Sequence, residues 1–286
     1  MTEVVRTTRL HFPVGLDTSR PSIARVYDYS IGGKDNYRID AQAWRRITDV
    51  ARGFGEVHKM NRAWLARVTR YLAQSVGLTQ FLDLGAGIPA VMNTHQFARE
   101  WRCRDMRVVY VDHDPVCVAH GRALLEDNET VHYIPGDLAD PDQILQSSAA
   151  RVYLDLDLPV GLLLTGVLHH LLTGRDRPAQ IVARYIDLLP VGSYVAITHY
   201  YDPGPADPQG RRLVRELELA FLDSGLGPVR FRTKAQITEL FGGLTLVEPG
   251  LVELDDWWPS GPSVPRNPEE RLIVGAVAYK RPGSCR

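Results

Sequence analysis

Phe81-Leu82-Asp83-Leu84-Gly85-Ala86-Gly87 is a short apolar run that stops abruptly at two glycines. The run has the length and composition of a buried strand. Glycine at 85 and 87 lets the backbone approach a ligand where a Cβ would collide with it. The dinucleotide fingerprint needs a third glycine at position 90. That position is Ala90, after Ile88 and Pro89. The next helix therefore does not open as a pyrophosphate cradle, and a ligand without phosphates fits better than NAD. A lone GxG after a strand is most often only a tight turn, so its meaning depends on the strands downstream of it.

The downstream sequence repeats the pattern. VVYVD at 108–112, VHYIPGD at 131–137, VGLLLTG at 160–166 and SYVAITH at 193–199 are further short apolar runs. Helix-compatible segments at 92–102, 115–126, 141–147 and 177–188 separate them. Short apolar strands alternating with helices predict βαβ units and a parallel sheet buried on both faces. Two late runs, 244–250 and 272–280, predict an antiparallel addition at the sheet edge. The predicted fold is α/β and Rossmann-like, with a mostly parallel seven-stranded sheet whose last strand is antiparallel.

Two carboxylates end later strands. Asp112 closes the second, and a carboxylate there can accept both ribose hydroxyls of an adenosine. Asp137 follows the third, beside Leu138, and can accept a proton from the adenine amino group. His113 lies beside the adenine ring by position. Alone, Asp112 reads equally as a helix N-cap and Asp137 as a turn residue. Together with the glycine loop they describe an adenosine site at a sheet switch point.

The rest of the chain sets bounds. Its 286 residues are 44% hydrophobic and 23% charged, with a formal net charge of -1. That is enough for one large core, and no basic excess marks a nucleic-acid or membrane partner. Cys103, Cys117 and Cys285 form no CxxC pair, and the histidines show no HxH or HExxH spacing. No metal is expected, and the sparse cysteines suit a reducing cytoplasm. Residues 1–60 read as an arm and a helical lid, and 61–286 as the ligand-binding domain. Within the lid, one helix spans 22–30 and a second starts after Asp40 as its N-cap; a third helix, after Asn61, opens the ligand-binding domain.

The chain resembles the actinobacterial S-adenosyl methyltransferase family, within the class I methyltransferase fold. The resemblance covers roughly residues 20–280. It rests on ARVYDYSIGGKDNYRID at 24–40, NRAW at 61–64, FLDLGAGIPA at 81–90, NTHQ at 93–96, VVYVDHDP at 108–115, LHH at 168–170, GSYVAITH at 192–199 and EPGLV at 248–252. It implies S-adenosylmethionine (SAM) as co-substrate or substrate and leaves the acceptor open. Met92, His170, Tyr200 and Tyr201 depart from the family's pattern where an acceptor would lie.

With that ligand, Asp83, Gly85, Gly87, Asp112, His113, Asp137 and Leu138 become expected SAM contacts. Arg25 or Arg62 would clamp its carboxylate. Tyr27 and Tyr29 would face the sulfonium, whose positive charge favours a ring or phenol oxygen. The lid segment reads equally as an amphipathic helix with a Gly-Gly stop. His169 and His199 follow the fourth and fifth strands, where ligands of parallel sheets bind, and one of them is expected to face the pocket and move a proton. Both also read as buried or capping histidines. Trp257 and Trp258 either roof a small apolar substrate or anchor the C-terminal loop. The expected activity is methyl transfer to a small molecule, as in secondary metabolism, by a monomer or homodimer. One alternative is cyclisation of SAM, releasing methylthioadenosine and a cyclic amino acid such as 1-aminocyclopropane-1-carboxylate. The other is a SAM-binding regulator without turnover.

Overall fold

The computed structural model describes residues 17–100, 106–127, 129–172, 177–259, 261 and 265–282. Cys103, Cys285, His11 and most of the N-terminal arm lie outside them.

The apolar runs form the sheet. β1 (Gln80–Leu84), β2 (Arg107–Asp112), β3 (Val131–Pro135), β4 (Gly161–Thr165) and β5 (Tyr194–Tyr200) are parallel neighbours in the order β3-β2-β1-β4-β5. Between them run α4 (Thr94–Glu100), α5 (Pro115–Leu124), α6 (Pro141–Gln146), α7 (Ser148–Tyr153) and α8 (Arg177–Leu188), after three N-terminal helices. β8 (Ile273–Tyr279) lies antiparallel against β5 over its full length. Two-residue strands β6 (Thr245–Leu246) and β7 (Val252–Glu253) pair antiparallel with β8. The late run at 244–250 therefore supplies only a short edge strand. β7 is an addition that the sequence did not announce.

The period of two along each strand sorts side chains between two cores. Phe81, Val108, Tyr110 and Leu163 join one apolar cluster with the N-terminal helices. Leu82, Leu84, Val109, Leu162 and Leu164 join the other. The second cluster takes in α8 through Ile181, Val182, Tyr185 and Ile186. Strands buried on both faces explain why the runs are continuously apolar.

The N-terminal helices differ from their expected bounds. α1 (Ile23–Ser30) matches. α2 (Arg38–Val50) begins before Asp40, with Tyr37 as N-cap. Asp40 is thus not the cap. It occupies the third helical position, where its carboxylate accepts the Tyr37 amide at 2.8 Å. α3 (Phe54–Arg70) starts well before Asn61 and continues as a π turn over Tyr71–Val76. The proposed boundary at 60/61 falls inside α3. Gly53 stands at the N-cap, and burial of Phe54, Val57 and Trp64 outweighs the weak helix propensity of Gly55 in the first turn. The Pro/Gly-rich stretch at 202–210 reads from its composition as a surface loop, but α9 (Pro208–Asp223) begins inside it. Its signals were present: Asp207 caps the Gly210 amide, Pro208 takes the first position, and Val214, Leu217 and Phe221 share a buried face.

The chain crosses the sheet between β1 and β4, so the switch point lies at the carboxyl ends of these two strands. Among the described residues no helix is long and apolar enough to cross a membrane.

Candidate active site

The glycine loop is braced from both sides. Gly85 and Gly87 both take left-handed backbone angles, φ +65° and +71°. The two differ in what a side chain would meet. A Cβ on Gly85 would lie 2.4 Å from the Val167 Cγ1 beyond β4, whereas a Cβ on Gly87 would enter open space. Gly87 is therefore the position where glycine keeps room for a ligand, and Gly85 is fixed by packing. The Gly87 amide donates to Asp112 Oδ2 at 2.8 Å, and the Tyr133 hydroxyl donates to the Gly87 carbonyl at 2.7 Å.

Asp112 is 7% exposed and also accepts the Asp114 amide on Oδ1 at 2.9 Å. Each oxygen keeps a second lone pair for a ribose hydroxyl. Burial raises its pKa, opposed by those two backbone N–H groups. His113 is exposed beside it, with Nδ1 3.7 Å from Asp112 Oδ1. Asp137 is exposed and accepts the Ala139 amide at 2.9 Å. Leu138 is half-buried, and its carbonyl accepts the Tyr185 hydroxyl at 3.1 Å. The three strand ends thus carry the expected carboxylates and the open glycine.

Asp83 is in β1, just before the loop, and is 5% exposed. Burial pushes its pKa up to about 6, against a 2.7 Å hydrogen bond from Thr94 Oγ1 and the charge of Arg62. Arg62 is half-buried and donates to the Met92 carbonyl. Its charge also acts on Tyr27. Arg62, Asp83 and Tyr27 therefore share one electrostatic neighbourhood. Arg25, the other candidate clamp, is 3% exposed and already paired, with Nε 2.9 Å from Asp40 Oδ2. Its Nη2 donates to the Arg20 carbonyl. Asp40 also accepts the Ser22 amide at 3.0 Å, so this pair fastens the start of α1 to α2.

Behind the loop, a cavity of about 30 Å³ lies between α1 and the ends of β4 and β5. Tyr27, Trp44, His58, Asn61, His169 and Tyr200 are among its walls. Tyr27 donates to the His58 carbonyl at 3.0 Å and accepts from Asn61 Nδ2 at 3.2 Å. Asn61 in turn accepts from Thr198 Oγ1 at 2.7 Å. The Ser30 hydroxyl donates to the Tyr27 carbonyl at 2.7 Å, so its contact with His58 Nδ1 is a bond donated by the ring. His58 Nε2 then accepts the Tyr200 hydroxyl at 2.9 Å. His58 and Asn61 had no assigned role in the sequence reading, and Tyr200 was marked there only as a departure where an acceptor would lie. They lie 142 residues apart at the extreme, and no local pattern links them.

His169 and His199 are both buried but differently placed. His199 Nδ1 donates to the Tyr200 carbonyl at 2.7 Å, and Nε2 accepts from Arg232 at 2.6 Å. Both of its nitrogens are committed. His169 is 1% exposed, stacks on Tyr200 with ring centroids 3.7 Å apart, and its Nδ1 has no partner. Burial lowers the pKa of both histidines, His199 to about 3 and His169 well below its ordinary value. Tyr29 packs against the N-terminal core. Trp257 is fully buried against Trp64 at 5.7 Å, and its carbonyl accepts from Arg67, so the anchoring reading of this loop holds.

This arrangement suits SAM: a loop open at Gly87, a buried carboxylate with spare lone pairs, and a cation beside the lid. The match to known proteins agrees. Residues 11–281 match the model of a family described as S-adenosyl methyltransferase. A Thermobifida fusca protein described as a candidate methyltransferase is 37% identical, over 96% of this chain and 100% of its own, with a TM-score of 0.88. A DUF574 family protein from Streptomyces avermitilis is 34% identical, over 92% and 99%, with a TM-score of 0.84. No curated protein matches. The chain belongs to the S-adenosyl methyltransferase family.

Proposed function

We propose that the protein transfers the methyl group of SAM to a small-molecule acceptor. The observation that carries this reading is the continuity between the glycine loop and the cavity. Gly166 lines the cavity, and the next residue, Val167, packs on Gly85. A ligand lying along the loop would direct its sulfonium toward that chamber.

The sulfonium supplies a methyl group attached to a ready leaving group. The protein's part is to position the partners and exclude water. Asp112 would hold the ribose, Gly87 would give the ligand room, and Asp137 with His113 would flank the adenine. Arg62 is the remaining candidate for the carboxylate of SAM, since Arg25 is spent on Asp40. The Tyr27 hydroxyl keeps one lone pair after its two hydrogen bonds, and that pair would favour a nearby positive centre.

One observation favours a second reading. Free space of about 30 Å³ is small for an acceptor, which suits intramolecular cyclisation of SAM with release of methylthioadenosine. Incubation with SAM alone and with a panel of small acceptors, followed by chromatography, separates the readings. Methyl transfer leaves SAM nearly intact until an acceptor is added and then yields S-adenosylhomocysteine. Protein-dependent methylthioadenosine from SAM alone, lost in His169→Ala, would reverse the order. SAM binding with neither product in any arm would point to a regulator.

A further inference from the structure

α9 carries an outward face that the fold leaves uncovered. Gly210, Val214, Leu217, Ala220 and Phe221 form its buried side. At about 3.6 residues per turn, Leu219 and Leu222 fall on the opposite side. They are 61% and 53% exposed. Among the described residues they are the one pair of exposed large apolar side chains within a single helical turn. A lone exposed leucine is ordinary, but two together on the solvent stripe of one helix begin a patch. The patch extends sideways: Leu172, Pro228 and Val229 form, with these leucines, a groove of about 370 Å³ that opens outward.

The charges on this face run against the helix's own dipole. Arg211, Arg212 and Arg215 occupy the amino-terminal half and Asp223 ends the helix, with no acidic residue in the first turn and no basic one in the last. A helix favours anions at its amino end and cations at its carboxyl end, so this order costs the lone helix. Glu216 offsets Arg212 at 3.2 Å. Arg46 donates to the Asp223 carbonyl, not to its carboxylate. Among the described residues, the Arg215 and Asp223 side chains have no partner. An antiparallel copy of the same helix answers both defects. It brings an acidic end to a basic half and sets the two dipoles in opposition.

We infer that the outer face of α9 is a homodimer interface, on which a second copy of this chain lays its own α9 antiparallel. A two-fold axis at Leu219 sets that residue against its counterpart and Arg215 opposite Asp223 of the partner subunit, and symmetry repeats the pair. Moving the copy one turn toward the carboxyl end would face Glu218 with Asp223 of the partner subunit, like with like. One turn the other way would set Leu219 on the partner's Arg215, and Arg212, already paired with Glu216, on the partner's Asp223. Only the register centred at Leu219 joins apolar to apolar and unpaired charge to unpaired charge. The leucines supply the drive, and the ion pairs fix register and orientation. A helix with its side chains is about 10 Å across, enough to close the groove. One helix of 16 residues and its flank on each side make a small specific interface, so the dimer exchanges with monomer.

Sedimentation velocity of the full-length protein, from low micromolar to several hundred micromolar, tests this. The wild type should move from monomer toward twice that mass as concentration rises. Leu219→Asp should weaken association at least tenfold with an unchanged circular dichroism spectrum, since the side chain it replaces is largely in solvent. Leu222→Arg, an independent change on the same face, serves if Leu219→Asp does not fold. Arg215→Asp should weaken association by a smaller factor. Adding Asp223→Arg to Arg215→Asp should restore it, because the exchanged charges meet again across the two-fold axis. A wild type that stays monomeric throughout would overturn the inference and leave this face to a different partner. So would a dimer as tight in the folded leucine variant as in the wild type, or a double variant no better than Arg215→Asp.

Discussion

The Gly87 amide and the Asp112 carboxylate meet at 2.8 Å, joining the glycine loop after β1 to the end of β2. The same carboxylate that would hold a ribose therefore also sets the shape of the loop beneath the ligand. Asp112→Ala should weaken SAM binding by roughly 2–4 kcal/mol, from lost charge-assisted hydrogen bonds and a loosened loop. Calorimetric titration of the variant, with circular dichroism as a check on folding, reads this directly. Undiminished affinity would place the ribose elsewhere.

Gly85 and Val167 give a sharper steric test. Gly85→Ala would place a Cβ 2.4 Å from Val167 Cγ1 at a left-handed backbone position. We expect a loss of about 2–4 kcal/mol in stability, combining overpacking with backbone strain. Val167→Ala in the same chain should recover at least about 1 kcal/mol of it, because the two changes share one contact. Strict additivity in urea unfolding would mean that the contact does not decide the glycine.

Much of this was legible in the sequence, for reasons that can be named. The strands were readable because a buried parallel strand must be apolar throughout, and Asp112 stood out because it ends such a run. The loop was readable as a ligand turn, but its glycines could not be told apart: only the position of Val167, far along the chain, shows that Gly85 serves packing. Arg25 and Arg62 were equivalent candidates until Asp40 folded back onto Arg25. The histidine network was hidden for the same reason. His58 meets Tyr200 through tertiary packing alone, and a sequence pattern registers only neighbours. α9 was missed despite a legible Asp-Pro start, because the Pro/Gly-rich loop before it dominated the reading.

Asp83 predicts a pH dependence. Its folded pKa, about 6, lies above the ordinary 3.8. Between those values the folded protein holds more protons than the unfolded chain, so this group's contribution to stability falls as pH rises through the window. The full effect is roughly 3 kcal/mol, and Asp83→Asn should flatten that part of the stability profile. A cationic ammonium placed beside Asp83 would favour the carboxylate. SAM binding should therefore release a proton below about pH 6, seen as a buffer-dependent heat in calorimetry. A buffer-independent heat at about pH 5.5, inside that window, would separate Asp83 from the ligand.

His199 should behave as a structural residue. His199→Phe removes the 2.6 Å acceptor of Arg232, which is itself only 8% exposed. The expected cost is about 1–3 kcal/mol in stability, from the stranded donor, with SAM affinity unchanged. Chemical denaturation and titration of one variant check both halves. A stable variant that has lost SAM binding would move His199 into the site.

The most direct test of the central claim is titration of SAM into the purified wild-type protein and into Gly87→Val. The wild type should bind one equivalent. The variant places its side chain in space that nothing in the described chain fills, at a left-handed backbone position that costs about 1–3 kcal/mol in strain; it should remain folded, checked by circular dichroism, and lose at least a hundredfold in affinity. No binding by the wild type, or equal binding by a folded Gly87→Val protein, would contradict a SAM site at the carboxyl ends of β1 and β4.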